Sequence, residues 1–374
     1  MIRVHWVNLT CDLAFRRAKP CVCLLAGSVP DLGCQESRVP LLLIQNPGYQ
    51  SHCALHSTPR QQDAGPGAGF GSGWDLILPA GWSMAFWMSL VYRGAKAVGL
   101  REQRSLAFEA GQLTCPDSCP DTPSGAKINL SRAAELRLAY NRRPPAKRCN
   151  YDKMGVSTPF HCPWLELVQG WMLNCEVSKD HGLDEESFYC LRNRKLLQSL
   201  DVVCAGLAAK PKSSRQNSVP GSSTASVSTA LEQSGLALVQ VRIVMMGRGS
   251  PGQHALICLP MTEDVLDAPH RRNHHQGIVE DPTEPVHRKP STNDTKCLTP
   301  TSVLGSATRL TIGFIVEGGF SHAAARGCGV GFVSAVGLRK LLEQKPNPES
   351  RAVVLVRCIQ SLQYRPATLH VVVP

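Results

Sequence analysis

The C-terminal part of the chain alternates short apolar runs with turn residues. Six of these runs have strand length and many β-branched residues, over 236–246, 254–259, 309–316, 330–336, 352–357 and 368–373. A helical spacing of apolar residues follows the fourth run at 338–344. Short strands separated by turns are typical of a compact barrel or sandwich. The pattern therefore predicts a β-rich C-terminal domain over 235–374, with a disordered polar insertion at 267–300.

An apolar block over 73–87 contains three tryptophans. Trp74 begins a run of strand length, the Pro-Ala-Gly sequence at 79–81 predicts a turn, and 82–92 is apolar on every face. A helix with this all-round pattern is expected to be buried. The predicted structural core of the block consists of Trp74, Trp82, Phe86 and Trp87.

Changes in composition divide the chain into predicted domains. Residues 1–39 have no sustained periodicity and are expected to be poorly ordered. A Trp-rich central domain follows over 40–204, with an insertion at 49–72 that is rich in Gly, Pro, Ser and Gln. Residues 205–234 are predicted to be a Ser-rich linker, because they show no core-forming pattern. This linker is the predicted boundary with the C-terminal domain.

Two helices are predicted in the central domain. Asn129 is a candidate cap for a helix that runs to Arg142, where two consecutive prolines end it. A second helix is predicted from Glu185 to Val203. Cationic side chains lie at the end of the first helix and on the outward face of the second.

The chain of 374 residues is basic, with a formal net charge of +11 and an isoelectric point of about 9.0. This balance favours polyanionic partners, but it also fits a merely soluble basic protein, and charge alone leaves both open. The sixteen cysteines have no Cys-x-x-Cys spacing, which indicates free thiols in a reducing compartment. No metal site is predicted, since the cluster of His270, His274 and His275 lies in the polar insertion without supporting groups.

The sequence predicts neither a membrane span nor a catalytic site. The apolar run at 76–92 is shorter than the ~20 residues that a membrane-spanning helix needs, and it contains a Pro-Ala-Gly turn. There is no nucleophile elbow, no phosphate-binding glycine loop and no paired-carboxylate motif. The acidic cluster at 184–186 starts a predicted helix, where the helix dipole explains it. No catalytic residue is therefore assigned.

Clusters of cationic side chains are the candidate binding residues. The densest cluster lies between Arg137 and Lys153 and is flanked by Tyr140 and Tyr151. Cations on a proline-stiffened, extended chain can follow phosphates, and tyrosines can stack on unpaired bases. The alternative is that this cluster is only a solvent-exposed run of charged residues with no binding role. The predicted RNA-binding residues are Arg93, Lys96, Arg142, Arg143, Lys147, Arg148, Arg192, Arg194 and Lys195.

Several uncommon strings occur in the order found in a known family. They are the Trp-rich block over 73–87, the basic string over 141–148, Pro-Phe-His-Cys-Pro-Trp over 159–164, and shorter strings over 191–197, 331–334 and 361–365. Together they resemble the largest protein subunit of eukaryotic nuclear ribonuclease P and ribonuclease MRP, the processing-of-precursors subunit. The likeness starts near Pro40, and the long basic N-terminal half typical of that family is missing. We interpret the chain as a C-terminal portion of such a subunit with an atypical start.

The resemblance implies a noncatalytic, RNA-binding scaffold. In that family the protein organises a catalytic RNA, and the complex removes the 5′ leader of precursor tRNA or processes precursor rRNA. The expected partners are ribonuclease P RNA, ribonuclease MRP RNA and other protein subunits, with precursor tRNA reached only indirectly and no membrane. No cofactor is expected on the chain, because magnesium would be held by the RNA. The expected location is the nucleus and nucleolus.

A further likeness concerns the fold. Strings at 313–318 and 331–334 are similar to the C-terminal barrel of folate-binding aminomethyltransferases, to which the ribonuclease subunit family has been related. The expected fold class is α+β, an aminomethyltransferase-like mixed architecture with a β-rich C-terminal barrel or sandwich and disordered insertions. Two other functions stay open here: a folate-binding aminomethyltransferase-like enzyme, and a truncated protein-interaction module without RNA contact.

Overall fold

Two compact units make up the chain. The first comprises residues 1–48 and 69–103, and the second comprises 49–68 and 104–374. The computed structural model describes residues 39–46, 72–151, 154–175, 187–206, 224–261, 264, 278–279, 303–305, 309–345, 347 and 350–373. Residues 1–38 and nearly all of the predicted insertions at 49–72 and 267–300 lie outside the described residues.

The first unit contains a two-stranded sheet followed by a helix. Strand β1 (Leu42–Asn46) pairs antiparallel with β2 (Gly73–Ile77). Helix α1 (Ser83–Tyr92) follows a turn in which Gly81 has a φ of +92°. Glycine adopts this left-handed conformation without the steric cost that a Cβ atom adds. The strand, turn and helix predicted for the Trp-rich block are therefore confirmed.

The predicted aromatic core of this block is wrong at Trp74 and Trp87. Both side chains are about half exposed, at 47% and 48% respectively. Trp82 is half-buried and Phe86 is buried. A two-stranded sheet is too small to cover a helix that is apolar on every face, so part of the apolar surface stays in solvent.

Six antiparallel strands of the second unit close into a barrel. In cyclic order they are β4 (Ala237–Met245), β8 (Arg326–Ser334), β7 (Thr311–Ser321), β5 (Leu256–Cys258), β9 (Val353–Arg357) and β10 (Gln363–Val371). The ring closes because β10 pairs with both β9 and β4. A short strand, β3 (Tyr189–Cys190), lies parallel to β4, and another, β6 (Ile278–Val279), lies antiparallel to β10. Of the two predicted alternatives for the C-terminal part, a barrel or a sandwich, the structure has the barrel, and the predicted α+β class is confirmed.

Glycines allow close contact between two neighbouring strands of the barrel. A Cβ atom on Gly331 would overlap the carbonyl oxygen of Phe314, and one on Gly313 would overlap that of Phe332. Any side chain at these positions would therefore force β7 and β8 apart. The glycines in the strings at 313–318 and 331–334 thus have a structural role in the barrel wall.

Helices pack against the barrel, and two tryptophans of one of them belong to the hydrophobic core. Three of these helices are α4 (Trp164–Asn174), α5 (Arg194–Cys204) and α7 (Ala335–Glu343). The indole Nε1 of Trp171 donates to the carbonyl oxygen of Thr311 at 2.9 Å, so the polar atom of this fully buried ring is satisfied. The Trp164 ring meets Phe314 and Phe332 edge-on, with ring centroids 5.8 and 5.6 Å apart.

Part of the predicted linker is a helix of the core. Helix α6 (Thr224–Gln233) packs against α5 and α7 through the buried side chains of Val227 and Leu231. The linker predicted over 205–234 is therefore wrong for residues 224–233, and one hydrophobic core includes residues on both sides of it. Val227 and Leu231 are four positions apart on one helix face, a sparse apolar pattern that the surrounding Ser and Thr residues obscure in the sequence.

Helix α2 (Leu100–Glu109) ends against the turn between β7 and β8. The Glu109 carboxylate accepts hydrogen bonds from the Ser321 hydroxyl at 2.6 Å and from the backbone N–H groups of His322 and Ala323 at 2.9 and 3.1 Å. Burial alone would raise the pKa of Glu109, but these hydrogen bonds outweigh it and lower the pKa. They fix the end of α2 to the barrel.

Candidate nucleic-acid interface

Helix α3 (Pro123–Arg142) carries the densest group of cationic residues at its C-terminal end. Its start is capped by Thr122, whose hydroxyl oxygen accepts from the N–H of Gly125 at 3.2 Å. A threonine cap followed by proline in the first turn is a strong start signal. The helix therefore begins at Pro123 rather than at the predicted Asn129 cap.

The chain leaves α3 in an extended conformation. Arg143 and Pro144 have φ,ψ angles of −73°,142° and −56°,144°, and a single 3₁₀ turn over Pro145–Lys147 follows. Proline cannot continue an α-helix, because it lacks the N–H group and its ring clashes with the preceding turn. Arg142, Arg143 and Lys147 are all exposed at this bend. The predicted stiff, cationic segment is thus present at the surface.

Arg148 differs from these three cations because its side chain turns back onto the helix. Its Nε donates to the carbonyl oxygen of Arg143 at 2.8 Å, and its Nη2 donates to that of Asn141 at 2.6 Å. The last carbonyls of a helix have no intrahelical donor, and the guanidinium supplies one. The same guanidinium lies 5.8 Å from the ring centroid of Tyr140. Arg148 therefore stabilises the bend.

Three aromatic rings pack together beside the bend. The ring centroids of Tyr140, Tyr151 and Phe160 lie 5.4 to 5.7 Å from one another. The Tyr140 hydroxyl donates to the carbonyl oxygen of Cys149 at 2.8 Å, and the Arg137 guanidinium lies 6.0 Å from the Phe160 ring centroid. All three rings are half-buried. Each ring is held in place while part of its surface stays accessible.

These rings line an open pocket of about 500 Å³, which we call the aromatic pocket. Its lining residues are Arg137, Tyr140, Pro145, Arg148, Cys149, Asn150, Tyr151, Val156, Ser157, Thr158, Pro159, Phe160 and His161. None of these described lining residues is acidic. Burial lowers the pKa of His161, although the nearby Glu166 carboxylate acts in the opposite direction. Among the described lining residues, the cationic side chains are those of Arg137 and Arg148.

Arg192 is held in a bidentate ion pair with Asp121. Its two Nη atoms donate to the two carboxylate oxygens at 2.7 Å each, and the backbone N–H of Cys190 donates to the same carboxylate at 2.9 Å. Burial raises the pKa of Asp121, but the hydrogen bonds from Arg192 and Cys190 outweigh it and lower the pKa to about 2. Because Asp121 neutralises its charge, Arg192 is less suited than the cations of the α3 bend to bind a phosphate.

The remaining candidate cations lie on two other helices. Arg194 and Lys195 are exposed in the first turn of α5, which the side chain of Asn193 caps. Cations at a helix start oppose the helix dipole, so these two residues do not help the helix to form. Arg93 and Lys96 are exposed after the end of α1 in the first unit.

The described part of the chain offers neither a metal site nor a membrane span. Among those residues, no group of three His, Cys, Asp or Glu side chains is arranged to hold a metal ion. Burial raises the pKa of the free Cys190 thiol to about 12. No described helix combines the length and apolar character that crossing a bilayer requires. His270, His274 and His275 lie outside the described residues.

The sequence predicts the cationic cluster and its two tyrosines but not the aromatic pocket. The missing element is Phe160, which approaches Tyr140 only because the chain folds back between them. In the sequence, the one signal for this ring is an aromatic residue next to Pro159, soon after a basic string.

Comparison with known proteins identifies the family. The model of the POPLD (NUC188) domain matches residues 73–164, and that of the POP1 C-terminal domain matches residues 237–302 and 292–373. The human protein "Ribonucleases P/MRP protein subunit POP1" is 29% identical over an alignment of 458 positions, gaps included, that covers 93% of the chain. The chain belongs to the POP1 family. The POPLD match contains α3 and the aromatic pocket, and the POP1 C-terminal match contains the six barrel strands.

The chain spans less than half the length of these POP1 relatives. The human alignment covers 43% of that protein. A Caenorhabditis elegans relative, "Ribonucleases P/MRP protein subunit popl-1", is 27% identical over 57% of the chain and 25% of its own length. An Arabidopsis thaliana POP1 subunit is 42% identical over 21% of the chain and 9% of its own length.

Proposed function

We propose that the chain is a noncatalytic, RNA-binding scaffold subunit of ribonuclease P and ribonuclease MRP. The observation that carries this proposal is the cationic bend after α3, where Arg142, Arg143 and Lys147 are exposed beside the aromatic pocket. Phosphates bind such cations, and unpaired bases stack on accessible rings. The names of the human and nematode relatives support the assignment to both ribonucleases.

The complex would remove the 5′ leader of precursor tRNA and process precursor rRNA, with the RNA performing the hydrolysis. Magnesium would be bound by the RNA, and the chain would hold no cofactor. Its partners would be ribonuclease P RNA, ribonuclease MRP RNA and other protein subunits in the nucleus and nucleolus. No specific observation favours the folate-binding alternative.

The test is a salt titration of the binding of the full chain to ribonuclease P RNA. We expect the triple variant Arg142→Gln, Arg143→Gln and Lys147→Gln to bind more weakly than the native chain. Each phosphate that the variant no longer neutralises should reduce the slope of log affinity against log salt by ~0.7 to 0.9, which is about 2 to 3 for the triple variant. Arg148 stays unchanged, because its replacement would disturb the helix end itself.

A matched control removes three exposed cations elsewhere, by Lys127→Gln, Arg248→Gln and Arg326→Gln. Both triple variants have the same net charge, so a specific interface predicts a large loss of affinity only for the first. Equal slopes in the two variants, with native circular dichroism, would reject the bend as an RNA contact. Failure of the native chain to bind the RNA would reject the proposed function.

A further inference from the structure

We propose that the aromatic pocket binds a single unpaired RNA base that has left its stack, while the cations of the bend bind the phosphates on either side. This inference rests on the proposed function and makes it more specific. It assigns the rings and the exposed cations to different parts of one nucleotide ligand. Duplex RNA would then be a poor ligand for the pocket, because its bases are already stacked.

The ring geometry supports a base-binding role. The planes of Tyr140 and Tyr151 are tilted by 39°, and Phe160 meets them at 57° and 83°. Rings at such angles form a concave wall rather than a closed stack, and all three remain half-buried. A base that enters can contact one ring face and another ring edge. Base–aromatic stacking tolerates all four bases, since each has a π face.

The surrounding charge favours a nucleotide over an apolar peptide side chain. The Arg137 guanidinium lies against Phe160, and the Arg148 guanidinium lies against Tyr140. Arg148 is fixed by two backbone carbonyls, so this wall needs little ordering when a ligand binds. None of the described lining residues is acidic. The described part of the wall therefore presents two guanidinium groups and no carboxylate to an anionic ligand.

Polar groups in the wall could contact the edge of the base. Asn150, Ser157 and Thr158 line the pocket together with His161. Their amide, hydroxyl and imidazole groups include both donors and acceptors, as the Watson–Crick edge of a base does. The pocket volume of about 500 Å³ falls within the range of small-molecule sites. It is large enough for one nucleoside.

The first experiment compares a short single-stranded RNA with a perfect duplex of the same length, bound to the full chain. The Phe160→Leu variant removes the aromatic face but keeps an apolar side chain. We expect it to bind the single strand about five- to 150-fold more weakly, from the 1–3 kcal/mol measured for base stacking. The salt slope should not change, because the cations of the bend are all retained. Duplex affinity should also stay constant.

Two matched variants act as controls. Phe160→Tyr keeps the ring and should retain single-strand affinity. Phe320→Leu makes the same substitution at an exposed phenylalanine outside the pocket and should have no effect. If Phe160→Leu binds the single strand as the native chain does, the pocket does not hold a base. If it loses duplex and single-strand affinity equally, the inference also fails.

A second measurement needs no substitution and covers the case in which Phe160→Leu fails to fold. Ribonuclease P RNA containing 5-iodouridine is bound to the native chain and irradiated, and the crosslinked peptides are identified by mass spectrometry. We expect crosslinks within residues 140–160. Crosslinks confined to other regions would overturn the base pocket but leave RNA binding intact. If Phe160→Leu instead releases a protein subunit and retains the RNA, the pocket is occupied by a peptide. This result would also overturn the inference.

Discussion

At the scale of single residues, arginine side chains have four different roles in this chain. Arg142 is exposed at the bend, and Arg148 binds the carbonyls of a helix end. Arg192 is paired with Asp121. Arg357 is fully buried, where it donates to the carbonyl oxygen of Met154 at 2.7 Å. A guanidinium that already binds chain groups contributes to stability, and the exposed ones at the bend are better suited to bind RNA.

The ion pair of Asp121 with Arg192 provides a test at this scale. We expect Asp121→Asn to lower the free energy of unfolding by ~1 to 2 kcal/mol, since the carboxylate loses charge-assisted hydrogen bonds. This expected loss of stability is in the lower part of the range for charge-assisted hydrogen bonds, because the Arg192 side chain is 54% exposed and solvent screens the ion pair. Chemical denaturation at neutral pH measures it.

The pH dependence of this difference follows from the lowered pKa. The folded pKa of Asp121 is about 2, below the unfolded value of 3.8. Ionised Asp121 therefore adds stability above pH 3.8, and this contribution disappears as the pH falls toward 2. The native chain and the variant should converge over that window. Glu135→Gln, at an exposed carboxylate of α3, is the control, and a similar loss of stability there would contradict a specific role for the ion pair.

At the scale of elements, the short helix α6 shows how few apolar residues are needed to join a core. Its segment contains several Ser and Thr residues, and among its described side chains, at 227–233, the buried apolar ones are Val227 and Leu231. Because Val227 and Leu231 share one face, a single helix turn presents both to α5 and α7. The segment therefore belongs to the core of the second unit.

Leu231→Ala tests the position of α6. The side chain is fully buried, so its truncation should lower the free energy of unfolding by about 2 to 5 kcal/mol. Gln233→Ala, at an exposed position of the same helix, should change it by less than about 0.5 kcal/mol. Urea denaturation of the full chain compares them. Equal stability of both variants would mean that the segment behaves as a linker.

At the scale of the whole molecule, the two units use their aromatic residues differently. In the second unit, Trp171 is fully buried and its indole N–H is bonded to the barrel. In the first unit, Trp74 and Trp87 remain about half exposed. A closed barrel with helices around it buries apolar surface on several sides, whereas a two-stranded sheet buries much less.

This contrast predicts effects of very different size on the free energy of unfolding for two tryptophan substitutions. Trp171→Ala should cost about 3 to 5 kcal/mol in the free energy of unfolding, because it leaves a cavity in the core. Trp87→Gln should change that free energy by less than about 0.5 kcal/mol and should improve solubility, because it removes an exposed apolar ring. Urea denaturation measures both variants. A destabilisation above about 2 kcal/mol by Trp87→Gln would show that this ring is covered in the folded chain.

The sequence by itself determined the barrel strands, the α+β class and the cationic bend after α3. These features depend on local periodicity, on proline stops and on the chemistry of adjacent residues, all of which can be read along the chain. Only the tertiary structure decided which tryptophans are buried, which arginines already bind other groups of the chain, and where the aromatic pocket forms. Asp121 and Arg192 are 71 positions apart, and Phe160 meets Tyr140 only after the chain bends back. Such contacts are set by the packing of distant segments, which no local pattern encodes.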